Sequence, residues 1–254
     1  GQMFHTDFER FKREFSLYET VYYTLLFAAY TILTAFLMPV IRLYTSGIAD
    51  AAIYDNTVAL LLFAAVTALT GTEAPMLQQL YVAGKFDDTR NQAIWEMAIN
   101  ITVSVIATWR FGLIGCLIGT VAALLYRNNA LIIYTARRIL DRSCLQLYKK
   151  IAVNLALGAG IIMLLGTDSC EATSYLHVIL TVIPNALWIA AVFIAVNVLI
   201  NLRECIAFVR AHRRGGAEEA LQARARAFGG AGRGDGRGRE RGEALALAEA
   251  PRHF

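Results

Sequence analysis

Apolar residues along this chain come in long blocks rather than alternating with polar ones, and six blocks approach the length that spans a bilayer: 18–40, 57–82, 93–109, 111–135, 151–166 and 176–200. A hydrocarbon core about 30 Å thick asks for roughly 20 apolar residues per helix. The most telling stretch is 93–126, where two such blocks meet almost without a loop. The first is apolar apart from Glu96, Asn100 and small hydroxyls, the turn Trp109-Arg110-Phe111-Gly112 follows, and the second carries Gly112, Gly115 and Gly119. Small residues at that spacing let membrane helices approach closely. The pattern predicts an all-α polytopic membrane protein: a lead-in at 1–17, a six-helix bundle at 18–200, and a tail at 201–254.

Composition agrees, with 57% hydrophobic residues and a mean hydropathy of +0.47, above the roughly 45–50% apolar usage of soluble domains. A charged, Phe-rich lead-in stands before the first block, so no cleavable signal peptide is expected there. Charge placement orients the helices, because short loops rich in Lys and Arg stay cytoplasmic. Arg10, Lys12 and Arg13 precede the first block, Lys85 and Arg90 lie between the second and third, and Arg137, Arg138, Arg142, Lys149 and Lys150 lie between the fourth and fifth; Arg203 and Arg210 follow the sixth. The alternate loops carry few bases and hold Asp50, Asp55, Asp168 and Glu171. Both termini are therefore expected in the cytoplasm. The four cysteines, Cys116, Cys144, Cys170 and Cys205, have neither a disulfide framework nor metal-ligand spacing.

The net charge of +4 resides in the tail, where eleven arginines face seven acids from Asn201 onward. The tail mixes acids among its bases, lacks interleaved aromatics and is Gly-rich, which argues against nucleic acid and for a disordered segment drawn to anionic headgroups.

Three further phrases are informative together. Leu43-Tyr44-Thr45-Ser46-Gly47-Ile48-Ala49-Asp50 follows a Pro39-containing helix; Ala83-Gly84-Lys85-Phe86-Asp87-Asp88-Thr89 comes next; then Glu96, Asn100, Ser104, Gly112, Gly115, Gly119 and Leu125-Tyr126-Arg127. In order and spacing this resembles bacterial polysaccharide flippases, the O-antigen and capsule lipid-linked-oligosaccharide exporters of the superfamily that includes the multidrug and toxin extruders. The resemblance spans about residues 1–143. It implies a MATE-like fold of about twelve helices in two six-helix bundles in the bacterial inner membrane, of which this chain corresponds to the C-terminal half. It also implies a lipid-linked glycan substrate, membrane lipid as surroundings, and a missing N-terminal six-helix half, or a homodimer, as partner. The chain begins without an initiator Met, and a fragment of a longer transporter is the simplest expectation.

Ionisable groups inside membrane helices usually mark a pathway or a paired interior site. Glu73 lies in Thr70-Gly71-Thr72-Glu73-Ala74-Pro75, followed by Gln78 and Gln79. Pro75 removes a backbone donor and is expected to kink or open its helix, and Pro184 does the same beside Asn185. Glu73, Gln78 and Gln79 are therefore candidates for the substrate path, against the plain reading of a Glu reaching headgroups. Arg127 is a further candidate, its guanidinium shaped for a pyrophosphate, with snorkelling to lipid phosphate as the alternative. Glu96 and Asn100 stand one turn apart and are expected to be structural, bonded to Arg90 or a neighbouring helix. Tyr18 and Glu19 read as the interfacial start of the first block. No catalytic residue, metal site or cofactor motif is apparent, so an enzyme is not expected. The function expected is flipping of a polysaccharide repeat unit by alternating access; the alternatives are a cation-coupled drug extruder and a non-transporting scaffold for glycan assembly.

Overall fold

The computed structural model describes residues 8–47, 55–167 and 174–201. These residues form six long helices: α1 (Phe8–Thr45), α2 (Thr57–Ala83), α3 (Arg90–Phe111), α4 (Leu113–Tyr134), α5 (Cys144–Leu165) and α6 (Tyr175–Ile200). A 3-10 turn at Asp87–Thr89 precedes α3, and α4 runs into a π turn at Thr135–Ile139. No strand occurs among the described residues. The expected tail beyond Asn201, together with Asp50, Asp168, Glu171, Cys170 and Cys205, lies outside them.

Five of these stretches are long and apolar enough to cross a membrane: α1, α2, α4 with its π turn, α5 and α6. The third expected span, α3, is helical over 22 residues but is not among the five; Glu96, Asn100 and Arg110 dilute its apolar run. The described residues are thus all-helical, with the helices of a multi-pass membrane protein. Its surface agrees, since Ile106, Met163, Leu164, Leu187 and Leu199 are exposed, an apolar exterior that suits hydrocarbon rather than water.

Local chemistry sets the helix ends. The side chain of Asn56 accepts from Ala59 N at 3.1 Å, and Ser143 accepts from Leu145 N at 3.3 Å, giving α2 and α5 their N-caps. Gly112 alone separates α3 from α4, with φ 58° and ψ −134°, a conformation that residues with a Cβ rarely adopt.

Helix α1 is the central element, packing on α2, α5 and α6, while α2 also packs on α4. Tyr23, Phe27, Met76, Leu80, Leu131, Leu147, Ile189 and Phe193 form the core between them. Buried Asn154 and Asn197 exchange amide hydrogen bonds of 3.3 and 2.8 Å between α5 and α6. Outside this core, α3 has no buried residue and packs chiefly on α4. The glycines make that contact: a Cβ on Gly115 would collide with the backbone of Ala107 and Thr108, and one on Gly119 with Ser104.

Candidate functional site

Helix α2 runs unbroken through Pro75, so the expected opening is not present, and the reason lies in α1. Proline at 75 leaves the Gly71 carbonyl without its helical donor. The Tyr22 hydroxyl supplies that donor at 2.9 Å, and the adjacent Tyr23 donates to Thr72 O at 3.1 Å. Helix α6 likewise continues through Pro184.

Past this seam, Thr72 and Glu73 meet α4. Thr72 donates to Asn128 Oδ1 at 2.6 Å, and the Asn128 amide donates to Leu69 O at 3.0 Å and to Glu73 Oε1 at 3.4 Å. Glu73 is half-buried and lies within electrostatic range of Glu96 and Arg127. Arg127 is buried; its Nε stands 3.6 Å from Glu96 Oε2, and its Nη1 donates to Thr89 O at 3.2 Å. The guanidinium therefore pairs with Glu96 and stands within electrostatic range of Glu73, at a site that opens outward. The opening is a hollow of about 320 Å³ lined by Ala93, Glu96, Met97, Asn100 and Ile101 on α3. Asn100 Oδ1 accepts from Ser104 at 3.0 Å.

A second polar feature runs down the outer side of α2. Thr67, Thr70, Ala74 and Gln78 are all exposed and recur every three or four residues, so they form one face, which ends at exposed Tyr81 stacked on Phe86. The threonine hydroxyls bond back to the helix, Thr67 to Phe63 O at 2.9 Å and Thr70 to Val66 O at 2.9 Å. Gln78 makes no hydrogen bond among the described residues. Its neighbour Gln79 points the opposite way, buried, and donates to Glu19 Oε1 at 3.2 Å.

Glu19 is the centre the sequence reading misses. It is fully buried and pairs with Arg142 of the α4–α5 connection, while Lys150 of α5 lies 3.7 Å from its other oxygen. Lys150 also donates to Ser16 O at 2.7 Å and Ser16 Oγ at 2.8 Å. One carboxylate thereby joins α1, α2, the α4–α5 connection and α5. The available signal was a Glu within an apolar run, which needs a cation partner in a membrane; the aromatic neighbours of Glu19 made an interfacial reading sufficient.

Of the residues singled out from sequence, then, Glu73, Glu96, Asn100 and Arg127 gather on the α2–α3–α4 side. Gln78 stands on the exposed stripe, Gln79 belongs to the Glu19 centre, and Pro75 and Pro184 sit inside continuous helices. Glu96 has found its partner on a neighbouring helix, α4, in Arg127. No protein-family model, curated protein or solved structure matches the chain, and the resemblance to polysaccharide flippases rests on the residues that carry it.

Proposed function

We propose that the chain forms one six-helix bundle of a bacterial inner-membrane exporter that moves lipid-linked oligosaccharide by alternating access. In this reading α3 is the sixth span, the fold is the MATE-like half-transporter, both ends of the bundle face the cytoplasm, and a second bundle covers the outer side of α2. The observation that carries it is the stripe of Thr67, Thr70, Ala74 and Gln78 on a helix otherwise fit for lipid, flanked by Glu73 and the hollow at Glu96. Hydrocarbon cannot hydrogen-bond an exposed amide, and an unsatisfied polar group there costs on the order of a few kcal/mol. A glycan path between two bundles satisfies it. Sugar hydroxyls would donate to Glu73, Glu96 and the Gln78 carbonyl, while the polyprenyl chain stays along the exposed aliphatic surface. Arg127 already pairs with Glu96, so its first role is to hold that carboxylate, and Gln79 is assigned to the Glu19 centre.

Replacing Glu73 by Gln in the assembled exporter tests this. Volume is kept and charge is lost, so export of surface glycan should fall while membrane abundance is unchanged; equal export would remove Glu73 from the path. Two carboxyl groups beside a single guanidinium also suit an organic cation, the cargo of a drug extruder. Efflux of a cationic dye that depends on Glu73, without any glycan phenotype, would favour that reading.

A further inference from the structure

One end of the bundle is built for a charged surface. At about 1.5 Å per residue, the 38 residues of α1 span roughly 57 Å, well beyond a 30 Å hydrocarbon core, so its terminal turns project into the headgroup layer. Side-chain bonds draw the other basic segments to the N-terminal end of α1. Lys150 reaches Ser16, Arg142 reaches Glu19, and Tyr134 beside the π turn donates to Asp88 before α3 at 2.5 Å. The stacked pair Tyr81 and Phe86, with ring centroids 4.9 Å apart and both exposed, stands at this same level, where amphipathic rings mark the membrane interface.

The π turn places two successive arginines, Arg137 and Arg138, at the surface, and Lys149 is exposed on α5. Several acids at this end are already engaged: Glu9 with Lys12, Glu14 with Arg10, and Asp88 with Tyr134; exposed Asp87 and Asp141 remain. At the opposite end Arg42 is neutralised by Asp55, with contacts of 3.0 and 2.9 Å. Exposed Ile133, one turn before Arg137, and exposed Leu145 offer apolar surface next to the bases.

We propose that this basic end, centred on Arg137 and Arg138 of the π turn, docks the headgroups of anionic phospholipids. Charge complementarity selects the anion, and the interfacial aromatics and adjoining aliphatic side chains select a lipid over a soluble phosphate. The test is native mass spectrometry of the full chain from micelles containing equal phosphatidylglycerol and phosphatidylcholine. Phosphatidylglycerol should be retained preferentially. At roughly fivefold per base near a charged surface, the preference should fall about 25-fold in Arg137→Gln/Arg138→Gln. It should survive in Arg137→Lys/Arg138→Lys and in Arg110→Gln at the other end. Equal retention of the two lipids by the parent, an undiminished preference in the Gln variant, or loss in the Lys variant would overturn the proposal. So would displacement of phosphatidylglycerol by inorganic phosphate at equal concentration, which would make the ligand a soluble anion.

Discussion

A proline inside a membrane helix orphans one carbonyl, and here a tyrosine from the neighbouring helix satisfies it. The Tyr22 to Gly71 bond therefore exists because of Pro75, and the two residues should be coupled. Tyr22→Phe should cost about 1 kcal/mol, the usual net worth of a hydrogen bond, which in a chain of this size lowers a thermal midpoint by about 2–4 °C. In a Pro75→Ala background the backbone N–H returns, and the same substitution should cost almost nothing. Additive losses in this double-mutant cycle would refute the coupling. Glu19 makes a harsher case. Glu19→Gln leaves Arg142 and Lys150 near an uncharged amide, and breaking a buried pair by removing one partner costs about 3–5 kcal/mol. Folded protein recovered from membranes should drop sharply, whereas Glu14→Gln, which breaks the exposed pair with Arg10, should change stability by about 0.5 kcal/mol or less.

At the scale of elements, the α3–α4 hairpin is a separate packing unit held by glycine contacts. Gly119→Ala must push α3 away from Ser104, while the Cβ of Gly160→Ala on α5 meets nothing within 4 Å. Limited proteolysis at the α3–α4 turn should quicken for the first variant and stay unchanged for the second; matching rates would show that the close approach does not hold the hairpin. The helices themselves were legible from hydropathy because most apolar blocks are long, and the turn expected at 109–112 contracts to Gly112 alone. The missed boundaries share a cause. Helix α1 begins at Phe8 and α5 at Cys144, earlier than the apolar blocks suggest, because each opens on charged residues that hydropathy reads as loop: Arg10 and Lys12 pair with Glu14 and Glu9, and Lys150 reaches Ser16 and Glu19. Partners 60 to more than a hundred positions apart leave no local pattern, so Glu19 could be noticed in its apolar run but its partners could not be named, whereas Glu96 and Asn100 stand one turn apart. The direction of Gln79 was equally hidden: adjacent glutamines differ by about 100° on a helix, and only packing decides which one faces inward.

For the whole molecule, Ser16, Asp88, Arg142 and Lys150 gather at one end, the end that the charge bias of the loops leads one to expect in the cytoplasm. Cys144 stands at that end. An impermeant thiol reagent should leave it unmodified in intact cells and modify it after permeabilisation; labelling before permeabilisation would invert the orientation. The larger claim is that this bundle works only when a second one covers the stripe on α2 and closes the path beside Glu73. The most direct measurement is surface glycan in a flippase-deficient strain that expresses the chain alone, and then the chain together with the complementary six-helix half. The account predicts no glycan from the chain alone and restoration on co-expression; restoration by the chain alone, or none by the pair with both halves present in the membrane, would contradict it.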